Sequence, residues 1–167
     1  NWHRDTYAEE YHRKFFTNYA RGRPLDSCGC EDLHIGALSL IPGLLAGLEA
    51  LDITEPAKLM QHAISLVRST HDHEHSLRAA ADLTRILLHV AEGIPIRKVL
   101  AELPIPGVSV SRFMNWMDLP DRVVVGEKLS TACYLPESFV ASLYFAWKYH
   151  DDFSLGLLQN AKVGGDN

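Results

Sequence analysis

Three groups of residues carry side chains that could do chemistry. Near the C-terminus, Gly164-Gly165-Asp166-Asn167 places a carboxylate directly behind two glycines. Glycine permits positive φ and close approach to a ligand, so Asp166 could be aimed at a metal or a sugar, with Gly164 and Gly165 lying against the substrate. The simpler structural reading is a helix C-cap followed by a solvated aspartate. Mid-chain, His71-Asp72-His73-Glu74-His75 holds imidazoles and carboxylates that suit Zn²⁺ or Fe²⁺, and in a helix His71 and His75 would share a face. Its structural reading is a polar, exposed turn between helices. Cys28-Gly29-Cys30, with Glu31, Asp32 and His34, offers two thiolates and an imidazole, but no second cysteine pair completes a zinc ribbon. A loop of reduced thiols, with Asp32 capping the helix after it, explains the same residues.

The remaining acids have structural explanations. Glu137 follows Pro136 in the first turn of a helix, where a carboxylate meets the positive end of the helix dipole. Glu127, after Gly126, has no partner in the sequence that would give it a role. Cys133 reads as a small buried apolar residue.

The elements that position these groups read as helices. Tyr7, Tyr11, Phe15 and Tyr19 recur every four residues, with Glu9/Arg13 and Glu10/Lys14 as i,i+4 pairs, which predicts an amphipathic helix with the aromatic stripe in the core. A loop follows from Arg21 to Asp32. His34 to Leu51 predicts a buried, kinked helix, and Thr54-Glu55-Pro56 predicts an N-cap at Thr54 for a helix reaching Ser69. From Glu74 to Glu92, Arg78, Asp82, Arg85 and His89 are expected on the solvent face, and Leu77, Ala80, Ala81, Leu87, Leu88 and Ala91 on the inner one.

Further helices are expected near Ile96 to Leu103 and Val110 to Met117, with a strand-like run at Val123-Val124-Val125. Pro136 opens a helix whose apolar stripe is Phe139, Val140, Leu143, Tyr144 and Trp147. Asp151 or Asp152 caps a last one through Leu155, Leu158 and Ala161. The fold class is all-α, with roughly seven helices.

The 167 residues suffice for one domain, and 47% hydrophobic against 22% charged residues provides a core. A formal charge of −5, spread without basic blocks, argues against nucleic acid or an anionic membrane as partner. No apolar run approaches the ~20 residues of a membrane span, so a soluble chain is expected. Three cysteines are too few for a disulfide framework and point to a reducing, cytoplasmic setting.

Tyr134-Leu135-Pro136-Glu137-Ser138-Phe139, Tyr144-Phe145-Ala146, His150-Asp151-Asp152-Phe153 and Gly164-Gly165-Asp166 together resemble the closing part of the ADP-ribosylglycohydrolase family, which includes the J1-type crystallins. Ser69-Thr70-His71 and the Ala79-Ala80-Ala81 helix are similar to its middle region. The resemblance implies a multi-helix orthogonal bundle and cleavage of ADP-ribose from a protein or small-molecule acceptor. It also implies two Mg²⁺ ions held by acids from both ends of the domain, with Asp166 one ligand. Members continue past the Gly-Gly-Asp with Thr-Asp-Thr or Thr-Asp-Ser, where this chain has Asn167, and the family's early acidic motifs do not appear. The expectation is therefore residues 1–167 as a single domain or the C-terminal fragment of a larger one, which needs the rest of the domain for activity. A catalytically silent, crystallin-like or binding relative is the alternative. A further one is an HD-type metal-dependent phosphohydrolase, compared through His62, His71, Asp72 and Asp82.

Overall fold

The computed structural model describes residues 7–165, and these form helices joined by turns and three isolated β-bridges, with no strand or sheet among them. The all-α expectation holds. In chain order the helices are α1 (Glu10–Ala20), α2 (Ile41–Glu49), α3 (Pro56–Arg68), α4 (Glu74–Ala91), α5 (Ile96–Glu102), α6 (Val110–Asn115), the single turn α7 (Asp121–Val123), α8 (Glu137–Lys148) and α9 (Phe153–Val163). Short 3-10 turns at Leu25–Ser27 and Ile35–Leu40 supplement them, the second running directly into α2. No helix among the described residues is long and apolar enough to cross a membrane.

The bundle is built around α4 and α8. α4 lies along α3 and contacts α2 and α5, while α8 meets α5, α6 and α9. On α8 the expected stripe is buried in full, and Ser138, Ala141 and Phe145 join it, so the helix is enclosed on more than one face. Phe113 of α6 lies edge-on to Tyr144 at 5.5 Å and tilted to Trp147 at 5.9 Å, forming an aromatic centre. Full burial of each such side chain contributes roughly 1.5–3 kcal/mol.

A polar clamp closes the lower end of α8. Lys148 Nζ donates to Asp121 Oδ1 at 2.7 Å, and the Tyr149 hydroxyl donates to Asp121 Oδ2 at 2.6 Å. The Tyr144 hydroxyl adds a longer bond to Oδ1 at 3.3 Å. Burial first, then Asp121, pushes the Tyr149 hydroxyl up to about 12, and the same causes raise Tyr144. Both phenols therefore stay protonated as donors, and the turn before α8 is tied to its last residues.

Several local expectations are corrected. Val123–Val125 is no strand: α7 ends at Val123 and the chain turns through Gly126 at φ 150°, a conformation that overrides β propensity. The aromatic stripe of α1 is not core; Tyr7 and Tyr19 are exposed and no residue of α1 is buried. Asp82 faces inward, buried at 2% exposure and paired with Arg85, because a neutralised carboxylate fits where a lone one would not. Ala91 is exposed. The α3 cap is Glu55, with no side-chain bond, in place of Thr54. In α9, Asp152 caps as expected, its carboxylate accepting from Leu155 N at 2.8 Å, yet Leu155 and Leu158 are on the surface.

Candidate functional site

The loop between α1 and α2 organises the site. Around residues 30–35 it pairs in two directions. Cys30 bridges His71 in parallel sense, with Asp72 N donating to Cys30 O at 2.8 Å. His34 bridges Tyr134 in antiparallel sense, with Ile35 N to Cys133 O and Leu135 N to Leu33 O both at 2.8 Å. Between these bridges lies Asp32. One of its carboxylate oxygens accepts from His34 N at 2.8 Å, and its carbonyl accepts from the Ser76 hydroxyl at 2.7 Å. Asp32 therefore caps the turn after it, and the His34 ring adds a second cap by accepting from Gly36 N at 3.0 Å.

His71 is the chemical centre of this arrangement. Its side chain is 1% exposed, contrary to the exposed turn expected from a polar stretch. Nδ1 is 2.8 Å from the Thr70 hydroxyl, while Nε2 has no hydrogen-bond partner and stands 4.0 Å from Asp32 Oδ1. The Tyr11 ring covers it at 4.1 Å between centroids. Burial lowers the His71 pKa to about 4; Asp32 opposes the shift, and His34 and His12 add to it. At neutral pH this is an uncharged imidazole beside a carboxylate, with one nitrogen unused. Cys30 lies next to it, its thiol raised above the ordinary value chiefly by burial, so it is a thiol and not a thiolate at pH 7.

The proposed metal cluster is not brought together. His71 precedes α4, whose N-cap is His73, so His71 and His75 do not share a helix; His75 is half-exposed in the first turn, 3.7 Å from Glu74. Asp72 turns to Arg68 at 3.5 Å. Among the described residues, no three His, Cys, Asp or Glu side chains come together as a group that could hold a metal ion. Cys28 is fully buried and donates to Pro24 O at 3.2 Å.

At the other end of the chain, α9 stops at Val163, and Gly164 and Gly165 follow at φ 82° and 89°. Gly165 is pressed against Thr131, where a Cβ would stand 2.6 Å from the carbonyl oxygen, whereas a Cβ at Gly164 would meet no atom within 4 Å. Only glycine suits the second position on both counts. Asp166 itself lies outside the described residues. The segment from Thr131 to Leu135 touches Gly165 at its start and the Leu33–Ile35 backbone at its end, linking the terminal turn to the Asp32–His71 region. Sequence reading missed Asp32 and Tyr11 as neighbours of His71, since nothing in local spacing reveals a contact between the first helix and the turn before α4.

No curated protein and no solved structure matches this chain. The family model for ADP-ribosylglycohydrolase matches residues 1–167, every residue of the sequence. By that match, together with its all-α architecture, the chain belongs to the ADP-ribosylglycohydrolase family.

Proposed function

We propose that the complete domain hydrolyses the glycosidic bond joining ADP-ribose to an acceptor on a protein or small molecule, with Asp166 as one carboxylate ligand of a two-magnesium site. The observation that supports this most is the terminal turn: two glycines at positive φ, the second held against Thr131, immediately before Asp166 in a chain matched by the family model. The Thr131 contact holds the backbone as far as Gly165, the residue before the proposed ligand, and metal sites rely on such supported ligands. Gly165 is exposed and Gly164 half-buried, and neither carries a side chain that would keep a substrate from the backbone.

The described residues by themselves do not make a magnesium site, since they contain no group of three metal ligands. In this reading the other carboxylates come from the rest of the domain, and that part is required for activity. When bound, Mg²⁺ would hold oxygen ligands octahedrally and position ribose hydroxyls and water. The chain's own contribution is to anchor the turn that precedes Asp166. Cys28, Cys30 and Cys133 form no disulfide, which suits the cytoplasmic setting of this proposal.

Asn167, at a position where the family has a threonine, favours a second reading, a relative that binds and does not hydrolyse. Release of ADP-ribose from an ADP-ribosylated protein, followed by chromatography, separates the two. The hydrolase reading expects magnesium-dependent release that EDTA and Asp166→Ala abolish. Undiminished release in Asp166→Ala would remove the assignment of that residue, and ADP-ribose binding without release would establish the silent relative.

A further inference from the structure

The last turns of α4 carry apolar residues that no neighbour fully covers. Leu87 and Leu88 are half-buried, and with Leu45 of α2, Ile53 of the following turn and Leu59 of α3 they line a cleft of about 440 Å³. Glu49 and Glu92 are the charged residues of its lining, which includes no lysine, arginine or histidine. Both are exposed, and among the described residues neither forms an ion pair. An aliphatic floor thus lies beneath two uncompensated carboxylates.

The walls are set by how two helices end. Asp52 after α2 and Gly93 after α4 both take positive φ, 61° and 84°. The next N–H then reaches back to the helix, Ile53 N donating to Leu48 O at 3.0 Å and Ile94 N to His89 O at 3.1 Å. These closures fix the backbone beside Glu49 and Glu92 and bring Ile53 to the cleft. Walls held in advance reduce the ordering cost of binding.

Clefts of roughly 300–1,000 Å³ with apolar walls and a few polar groups suit small organic ligands. Here three helices and the turn joining two of them surround the space, which favours a compact ligand over an extended chain. Two carboxylates with no cation beside them attract positive charge, and an anionic ligand would meet their repulsion in a chain of formal charge −5. We propose that the cleft between α2, α3 and α4 binds a small organic cation with an apolar body, the body resting on Leu45, Leu87 and Leu88 and the charge held by Glu49 and Glu92. The site is separate from the glycohydrolase reading. Neither His71 nor the terminal glycine turn belongs to its lining, and the 18 residues of α4, spanning ~27 Å, lead from the His71 end to this one.

NMR and calorimetric titration of the full chain with octylamine, protonated at pH 7, tests it. Saturable one-site binding is expected, with the methyl signals of Ile53, Leu87 and Leu88 shifted. Octanoate, of equal chain length and opposite charge, should bind about tenfold more weakly. Glu49→Gln and Glu92→Gln should each weaken octylamine binding about three- to fivefold, the loss of one exposed ion pair, and the double variant should lose the preference over octanoate. Glu102→Gln, the same change on α5, should leave both affinities as they are. No saturable binding of octylamine, octanoate bound as tightly, methyl shifts confined to other residues, or full affinity for octylamine in the double variant would each overturn the proposal. The amide spectrum of each variant shows that the fold is retained.

Discussion

His71 Nε2 stands 4.0 Å from Asp32 Oδ1 inside the molecule, close enough for attraction and too far for a hydrogen bond. An imidazole so placed is kept neutral by burial, and the cost of charging it appears in stability. Its folded pKa of about 4 lies below the ordinary 6.5, so between these values the unfolded chain binds the proton that the folded one refuses. Stability is full above pH 6.5 and falls as pH drops toward 4, by up to about 3 kcal/mol. Urea midpoints at pH 7.5 and 4.5 should differ in the wild type, and the difference should shrink in His71→Gln. An unchanged pH dependence in that variant would assign the loss to other groups.

Tyr11 covers the His71 ring from a helix with no buried residue of its own. Tyr11→Ala should admit water and raise the His71 pKa toward 6.5. An NMR titration of the His71 ring protons reads this directly. A pKa that stays near 4 would show that other residues supply the burial.

The two terminal glycines should respond differently to alanine. Both have positive φ, which costs an alanine about 1 kcal/mol, but only at Gly165 does the new methyl collide with the Thr131 carbonyl. Gly165→Ala should lower stability by about 2–3 kcal/mol and Gly164→Ala by about half that. Thermal denaturation of the pair tests the ordering, and equal losses would mean that the Thr131 contact does not hold the turn.

Asp121 and Lys148 form a nearly buried pair, their side chains 9% and 12% exposed. Asp121→Ala leaves an ammonium group without its partner and removes the acceptor of two tyrosines, so a loss of about 3–5 kcal/mol is expected. Lys148→Met in the same chain should recover part of it. Chemical denaturation of both variants provides the check, and no recovery would place the cost in the tyrosine bonds.

What could be read from the sequence follows from how local each determinant is. The α8 stripe was legible because Phe139, Val140, Leu143, Tyr144 and Trp147 repeat at helical spacing, and helical spacing is enough to bury them. Asp152 was legible as a cap from its place before a helix. Asp82 was not, since a carboxylate reads as solvent-facing until its pairing with Arg85 is known. Nor was the burial of His71, which depends on Tyr11 and Asp32 arriving from remote parts of the chain. The exposed leucines of α9 carry a core-like pattern, and pattern alone does not say whether a neighbour covers it.

The double pairing of residues 30–35 also bears on how the molecule folds. Its bridges to His71 and Tyr134 join segments that are remote in sequence, whereas α3 and α4 are adjacent and can associate early. Closing such contacts carries a larger entropy cost, so the Asp32–His71 region is expected to be completed after the helices around it. Amide exchange at Ile35 and Leu135, whose N–H groups close these contacts, becomes a direct gauge of when the site has formed and how often it opens.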